Sequence, residues 1–263
     1  MKDGLIKLEL SNKILNVILN NPKHQNTLGE KMIKELKEKL KEASKNKNVK
    51  VIIISSIGPI FCAGHNLKDL NSKRSNTDKG KSYYKKIFRS CSDLMINIKE
   101  NPKPVIAVID GIATAAGCQL IASCDLAYAS NKAKFATPGV NIGLFCSTPM
   151  VALSRNVNKK SAMEMLLTGE MINANKARQI GLINDIFSSN QLMKKAIKVA
   201  KKISSKSMAT LKIGKNAFYK QREMSIEEAY NYTSAVMVEN MLKNDSKEGI
   251  NAFLEKRKPN WGN

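Results

Sequence analysis

Two stretches of this chain share a layout that could do chemistry. VIIISSIGPIFCAGHNL (51–67) and PVIAVIDGIATAAGCQL (104–120) each run from an apolar strand through a turn of small residues toward a helix. The small residues Ala63, Gly64, Ala115, Ala116 and Gly117 let a ligand approach the backbone closely. The first N–H groups of a helix have no internal partner and favour negative charge. Two such turns facing each other would hold a developing oxyanion, the need of a thioester whose carbonyl becomes an enolate or a tetrahedral adduct. The alternative is two ordinary strand–glycine–helix junctions with no ligand.

Ordinary elements must position these turns. Residues 4–9 and 13–19 read as a hairpin, and 20–28 as a loop. Residues 29–44 read as a helix with Met32, Ile33, Leu36, Leu40 and Ala43 on one face. VIIISS (51–56), PVIAVIDG (104–111) and CDLAYAS (124–130) read as strands, and 83–99 as a helix. Between them, 71–82 reads as a mobile polar connection. From about residue 148 the pattern is helical almost throughout. Ser225 and Glu228 form a capping box before a helix over 226–242, and a last helix spans about 246–255. Strand–strand–helix units could repeat in space without a sequence repeat.

The chain has 263 residues, enough for one large domain with a helical extension. It has no apolar run long enough to span a membrane, and its start resembles no targeting segment. We expect a cytoplasmic protein, or an organellar one if a presequence has been removed. Lys and Arg total 44 against 22 Asp and Glu, a net charge of +22. Such an excess suits an anionic partner, and equally a lysine-rich solvated surface. The five cysteines show no CxxC pair and no metal spacing, so they read as free thiols in a reducing compartment, with no metal site.

FCAGHNLKDL (61–70) and DGIATAAGCQLIASCDLAYAS (110–130) resemble the two signature segments of the crotonase, or enoyl-CoA hydratase/isomerase, superfamily. NPKHQNTL, ATPGVNIGL, LLTGEMINANKARQIGLIN and EGINAFLEKRKPNW resemble the family's other segments in the same order, so the likeness covers nearly the whole chain. It implies an α/β fold: a spiral of ββα units over residues 1–200, then a helical trimerisation region over 201–263. It implies homotrimers or dimers of trimers. Coenzyme A comes as part of the substrate, with no separate cofactor.

The resemblance also implies roles. The backbone N–H groups of His65 and Ala116 would form the oxyanion hole. Ala63, Gly64, Asn66 and Leu67 would line the adenine and pantetheine path, with Lys23 and His24 nearby. Lys68 and Lys256 would meet CoA phosphates. The family's hydratases use two glutamates; Gln119 and Gly139 stand at those positions here. A neutral amide orients water but is no base. We therefore expect an enoyl-CoA hydratase-like lyase of this family, an acyl-CoA enzyme that keeps the oxyanion hole but lacks both glutamates of efficient conventional hydration.

Malonyl-type decarboxylation and thioester hydrolysis are the alternatives. Hydrolysis would use Cys146, Ser147 or Thr148, although Cys146 also reads as a buried small hydrophobe. The His65 imidazole would either reach the acyl group or point away. A non-catalytic acyl-CoA binder is a further alternative. RNA binding is disfavoured, because the lysines of 30–45 interleave with Glu30, Glu35, Glu38 and Glu42.

Overall fold

The computed structural model describes residues 4–262. The chain opens with a hairpin, β1 (Ile6–Ser11) and β2 (Ile14–Leu19), turned by Asn12 and Lys13, both at positive φ. Helix α1 (Glu30–Lys45) follows, and its buried residues are the five that the periodicity selects: Met32, Ile33, Leu36, Leu40 and Ala43. Burying each of the larger ones is worth roughly 1.5–3 kcal/mol. The buried Lys103 closes this helix by donating its ammonium to the carbonyls of Ala43 and Asn46.

Three strand–strand–helix units come next. The first is β3 (Val51–Ser56), β4 (Ile60–Cys62) and the helices α2 (Leu67–Ser72) and α3 (Lys81–Glu100). The second is β5 (Val105–Ile109), β6 (Ile112–Thr114) and α4 (Ala116–Ser123). The third is β7 (Leu126–Ser130), β8 (Lys134–Ala136), α5 (Ser147–Leu153) and α6 (Lys159–Thr168). In each unit the first strand joins one sheet and the second joins another. β9 (Ile172–Asn173), α7 (Ala174–Gln179), β10 (Asp185–Phe187) and α8 (Ser189–Ser204) complete the spiral. The larger sheet has the order β1-β2-β3-β5-β7-β10 and is parallel except for β1; the smaller has the order β4-β6-β8-β9.

Parallel strands buried on both faces are apolar without alternation, as in β3 and β5. The main core lies between the two sheets and helices α1, α3 and α4, and α8 covers the other face of the larger sheet. Gly111, at φ +148, makes the corner between sheets in the second unit. A Cβ there would lie 2.1 Å from the Pro59 carbonyl oxygen of the first unit. The spiral is wound too tightly at this point for any side chain.

Helices α9 (Met208–Gln221), α10 (Ile226–Met241) and α11 (Asn244–Leu254) form the C-terminal part. Ser225 and Glu228 make the reciprocal capping box that begins α10. A buried ion pair ties α9 to the spiral. Lys215 Nζ lies 2.7 Å from Asp125 Oδ2, and Tyr219 Oη donates to Asp125 Oδ1 at 2.9 Å. Burial lowers the Lys215 pKa and Asp125 works against that shift. By contrast α10 buries no residue, leaving Ile226, Tyr230, Met237 and Met241 exposed.

One expectation needs extending and another correcting. The chain after residue 148 is helical almost throughout, as expected, but the short strands β9 and β10 that add to the two sheets were not foreseen. The 71–82 connection is structured. It carries the end of α2 and a 3-10 turn over Lys73–Ser75, and the Asp78 carboxylate accepts from the Gly80 and Ser82 N–H groups.

Candidate active site

The two small-residue turns meet. A Cβ on Gly64 would lie 2.9 Å from Ala115 Cβ and 3.2 Å from the Ala116 nitrogen, so only glycine fits at this contact. Gly64 takes φ +86, which glycine adopts without penalty. Ala115 takes φ +50 and ψ −116 as the N-cap of α4, a conformation that costs an alanine on the order of 1–3 kcal/mol. The distortion is fixed by its neighbours: the Ala115 N–H donates to the Ala136 carbonyl, and its carbonyl accepts from Gln119. Ala116 then begins α4 with its N–H off the ladder. Among the described residues, neither the His65 nor the Ala116 N–H is taken up by a backbone carbonyl of these turns.

A cavity of about 540 Å³ opens on this junction, within the range of small-molecule sites. Ala63, His65, Leu67, Ala116, Gly139 and Cys146 line it, as do Phe88 of α3 and the loop from Pro138 to Thr148. Among the described residues, no Asp, Glu, Lys or Arg is in its wall, and His65 and Cys146 are its only side chains of ordinary acid–base or thiol chemistry.

The His65 imidazole is held sideways. Its Nδ1 lies 2.8 Å from the Leu28 carbonyl oxygen, and its ring packs edge-on against Phe88 with centroids 5.3 Å apart. A carbonyl accepts, so Nδ1 carries the proton. The Nε2 atom is enclosed and has no partner. Burial lowers the pKa, against a smaller opposing effect of the Leu28 bond, so the ring is neutral at pH 7. The ring is thus tied to the loop through Nδ1 while His65 still lines the cavity.

Burial raises the Cys146 thiol above its ordinary range, an environment that disfavours the thiolate. Cys62 and Cys118, beneath the turns, are pushed up to about 12 by burial. Cys62 Sγ accepts the Gly64 N–H at 3.5 Å, and Cys118 Sγ bridges the Ala113 and Ala136 carbonyls. All five cysteines are free and buried.

Gln119 does not line this cavity. It is 4 % exposed and faces a second cavity, of about 390 Å³, between α3, α4, α5 and α9. Its Oε1 lies 4.0 Å from Cys91 Sγ. Thr148 lines both cavities. Gly139 has no room for a side chain, because a Cβ there would lie 2.5 Å from the Leu144 carbonyl oxygen and 2.8 Å from Cys146 Sγ.

The remaining expected residues divide. His24 and Asn66 line a third cavity of about 410 Å³ beside Asp69, Lys73 and Tyr83. Asn66 caps α2 by accepting from the Lys68 and Asp69 N–H groups. Lys23, Lys68 and Lys256 are exposed and form no ion pair among the described residues. Lys256 ends α11, which packs on α9 and α10, and it lines none of these three cavities.

Sequence reasoning missed Asn26, which is fully buried. Its Oδ1 accepts from Asn21 N–H and its Nδ2 donates to the Ile57 and Ile60 carbonyls, fixing the 21–28 loop against the first turn. It also missed Phe88. An Asn within a polar loop and a Phe within a helix gave no local signal.

The enoyl-CoA hydratase/isomerase family model matches residues 9–263. The chain belongs to the enoyl-CoA hydratase/isomerase family. It is 47% identical over 248 residues to enoyl-CoA hydratase domain-containing protein 3, mitochondrial, of Mus musculus, covering 94% of this chain and 81% of that protein. The crystal structure of the human protein of that name superposes with a TM-score of 0.93 at 46% identity, covering 98% of this chain and all of the other. An enoyl-CoA hydratase of Mycobacterium smegmatis gives a TM-score of 0.93 at 41% identity, covering 98% and 99% of the two chains. The family's crotonase fold is thus the fold of this chain. No helix among its described residues is long and apolar enough to cross a membrane.

Proposed function

We propose that this family member is an acyl-CoA thioester enzyme that stabilises an enolate or oxyanion with the backbone N–H groups of His65 and Ala116. The observation that carries the reading is the contact of the two turns at Gly64 and Ala116, with the free N–H groups beside a mostly apolar cavity. The thioester oxygen would accept from both N–H groups as it gains charge. The strained Ala115 keeps the second donor aimed before substrate arrives. One such donor is worth roughly 10²–10³ in rate. The CoA phosphates would meet the unpaired Lys23, Lys68 and Lys256, within the field of a +22 chain.

Conventional hydration is disfavoured, because the cavity wall carries no carboxylate. The same observation favours decarboxylation of a malonyl-type thioester as a second reading. There the bond from the α-carbon to the carboxylate breaks, its electron pair passes into the thioester as an enolate, carbon dioxide leaves, and solvent returns a proton. No base is needed. Hydrolysis through Cys146 is opposed by its raised pKa. The exposed apolar residues of α10 support a homotrimer or a dimer of trimers. The mitochondrial names of the relatives favour the organellar alternative over the cytoplasmic one.

The test is turnover of crotonyl-, malonyl-, methylmalonyl- and a saturated acyl-CoA, with CoA affinity measured alongside. Turnover of a thioester without efficient crotonyl-CoA hydration is the expected result, and turnover of malonyl- or methylmalonyl-CoA would carry the second reading. Fast hydration would show a base outside the two family positions. Binding without any turnover would make this an acyl-CoA-binding protein.

A further inference from the structure

The second cavity lies one helical turn along α4 from the oxyanion donor Ala116, and Thr148 lines both it and the first cavity. Its wall is mostly apolar, with the buried Met95 and Ala122 and the exposed Ile96 and Val151, and it carries the hydroxyls of Ser92, Ser123 and Thr148 and one buried amide, Gln119. With Oε1 toward Cys91, the Gln119 Nε2 has no acceptor among the described residues. The rim is different in kind. Lys99, Arg155 and Arg222 stand there with a single carboxylate, Glu223. Glu223 Oε1 is shared between Lys99 at 3.8 Å and Arg155 at 3.5 Å. The Arg222 guanidinium bonds the Arg155 carbonyl and lies 5.7 Å from the Phe218 ring centroid, and it has no carboxylate partner among the described residues. An adjoining hollow adds Lys212 and Lys220 against Glu100. A mostly apolar hollow rimmed by excess positive charge fits an acyl chain that ends in negative charge.

We infer that this cavity takes the far end of the acyl chain and that Arg222 selects chains ending in a carboxylate, so that ω-carboxyacyl thioesters are the preferred substrate class. This rests on the CoA-thioester reading above. Arg222 is the specificity-determining group: its planar fork accepts a carboxylate in two parallel hydrogen bonds. Lys99 and Arg155 add charge.

The experiment compares affinities of the full-length protein for matched thioesters, adipoyl-CoA against hexanoyl-CoA and suberoyl-CoA against octanoyl-CoA. A charge-assisted bond gives a preference of about tenfold or more for the dicarboxylyl member of a pair. That preference should fall several-fold in Arg222→Gln, persist more fully in Arg222→Lys, and shrink with added salt. Binding of hexanoyl-CoA equal to that of adipoyl-CoA would overturn this inference and leave the thioester reading standing. Failure of every thioester and of CoA to bind would overturn that reading first. A preference unchanged in a folded Arg222→Gln, verified by circular dichroism, would remove Arg222 from the role.

Discussion

Gly64 and Ala116 are in backbone contact across two turns 52 residues apart in sequence, and no side chain fits between them. Everything proposed for the site depends on that approach. A side chain at Gly64 would both strain a φ of +86 and press on Ala116 N. Gly64→Ala should therefore lower kcat on any accepted thioester at least tenfold and cost roughly 1–3 kcal/mol in stability. Ala116→Pro should remove a donor and lower kcat about 10²–10³-fold. Steady-state kinetics with urea denaturation separate the two effects.

His65 should leave a signature in the pH dependence of stability. Its folded pKa lies below its unfolded value because burial disfavours the imidazolium. The unfolded chain therefore binds the extra proton first as pH falls. The native state loses stability as pH drops through the unfolded value near 6.5 and regains it above. Melting temperature should fall more between pH 7.5 and pH 5.5 in the wild type than in His65→Gln. Equal slopes in the two proteins would mean that the imidazole titrates freely. Turnover by His65→Ala tests the ring in catalysis, since that variant keeps the backbone N–H.

Restoring the family's carboxylates should not restore hydration. Gly139→Glu would drive a Cβ into the Leu144 carbonyl and Cys146 Sγ, so it should lower the melting temperature by several degrees without raising crotonyl-CoA hydration. Gln119→Glu should fold, and by itself give no efficient hydratase, because its side chain faces the second cavity. Hydration rates of the two variants, with thermal scans, decide this.

The Lys215–Asp125 pair should be a main attachment of α9 to the spiral. Asp125→Asn or Lys215→Met leaves a buried charge without its partner, which costs roughly 3–5 kcal/mol. The double variant should recover part of the loss. Urea midpoints for the four proteins give the coupling directly.

How much of this was legible depended on where the information lay. The face of α1 was fixed by a local period, so its five buried residues followed from spacing alone. The strands β3 and β5 announced themselves as unbroken apolar runs. Asp185–Phe187 did not, because a three-residue strand has no period and exists only by pairing beside Leu126–Ser130. The two turns were readable as small residues before helices, and they meet in the structure. The orientation of His65 was not, since its partner Leu28 is 37 residues away. Nor was the displacement of Gln119 into its own cavity, which is set by how α3, α5 and α9 close around α4.

The thiols beneath the turns have a consequence for oxidative stress. Peroxide attacks the thiolate, and sulfenic acid forms where that anion is both populated and reachable. Cys62, Cys91 and Cys118 are buried and pushed up to about 12, so almost none of that anion exists at neutral pH. Such sulfurs act as small, dense spacers in the core, Cys62 and Cys118 within the elements that carry the two turns, and the native protein should pass through a peroxide pulse that would silence an enzyme built on an exposed cysteine.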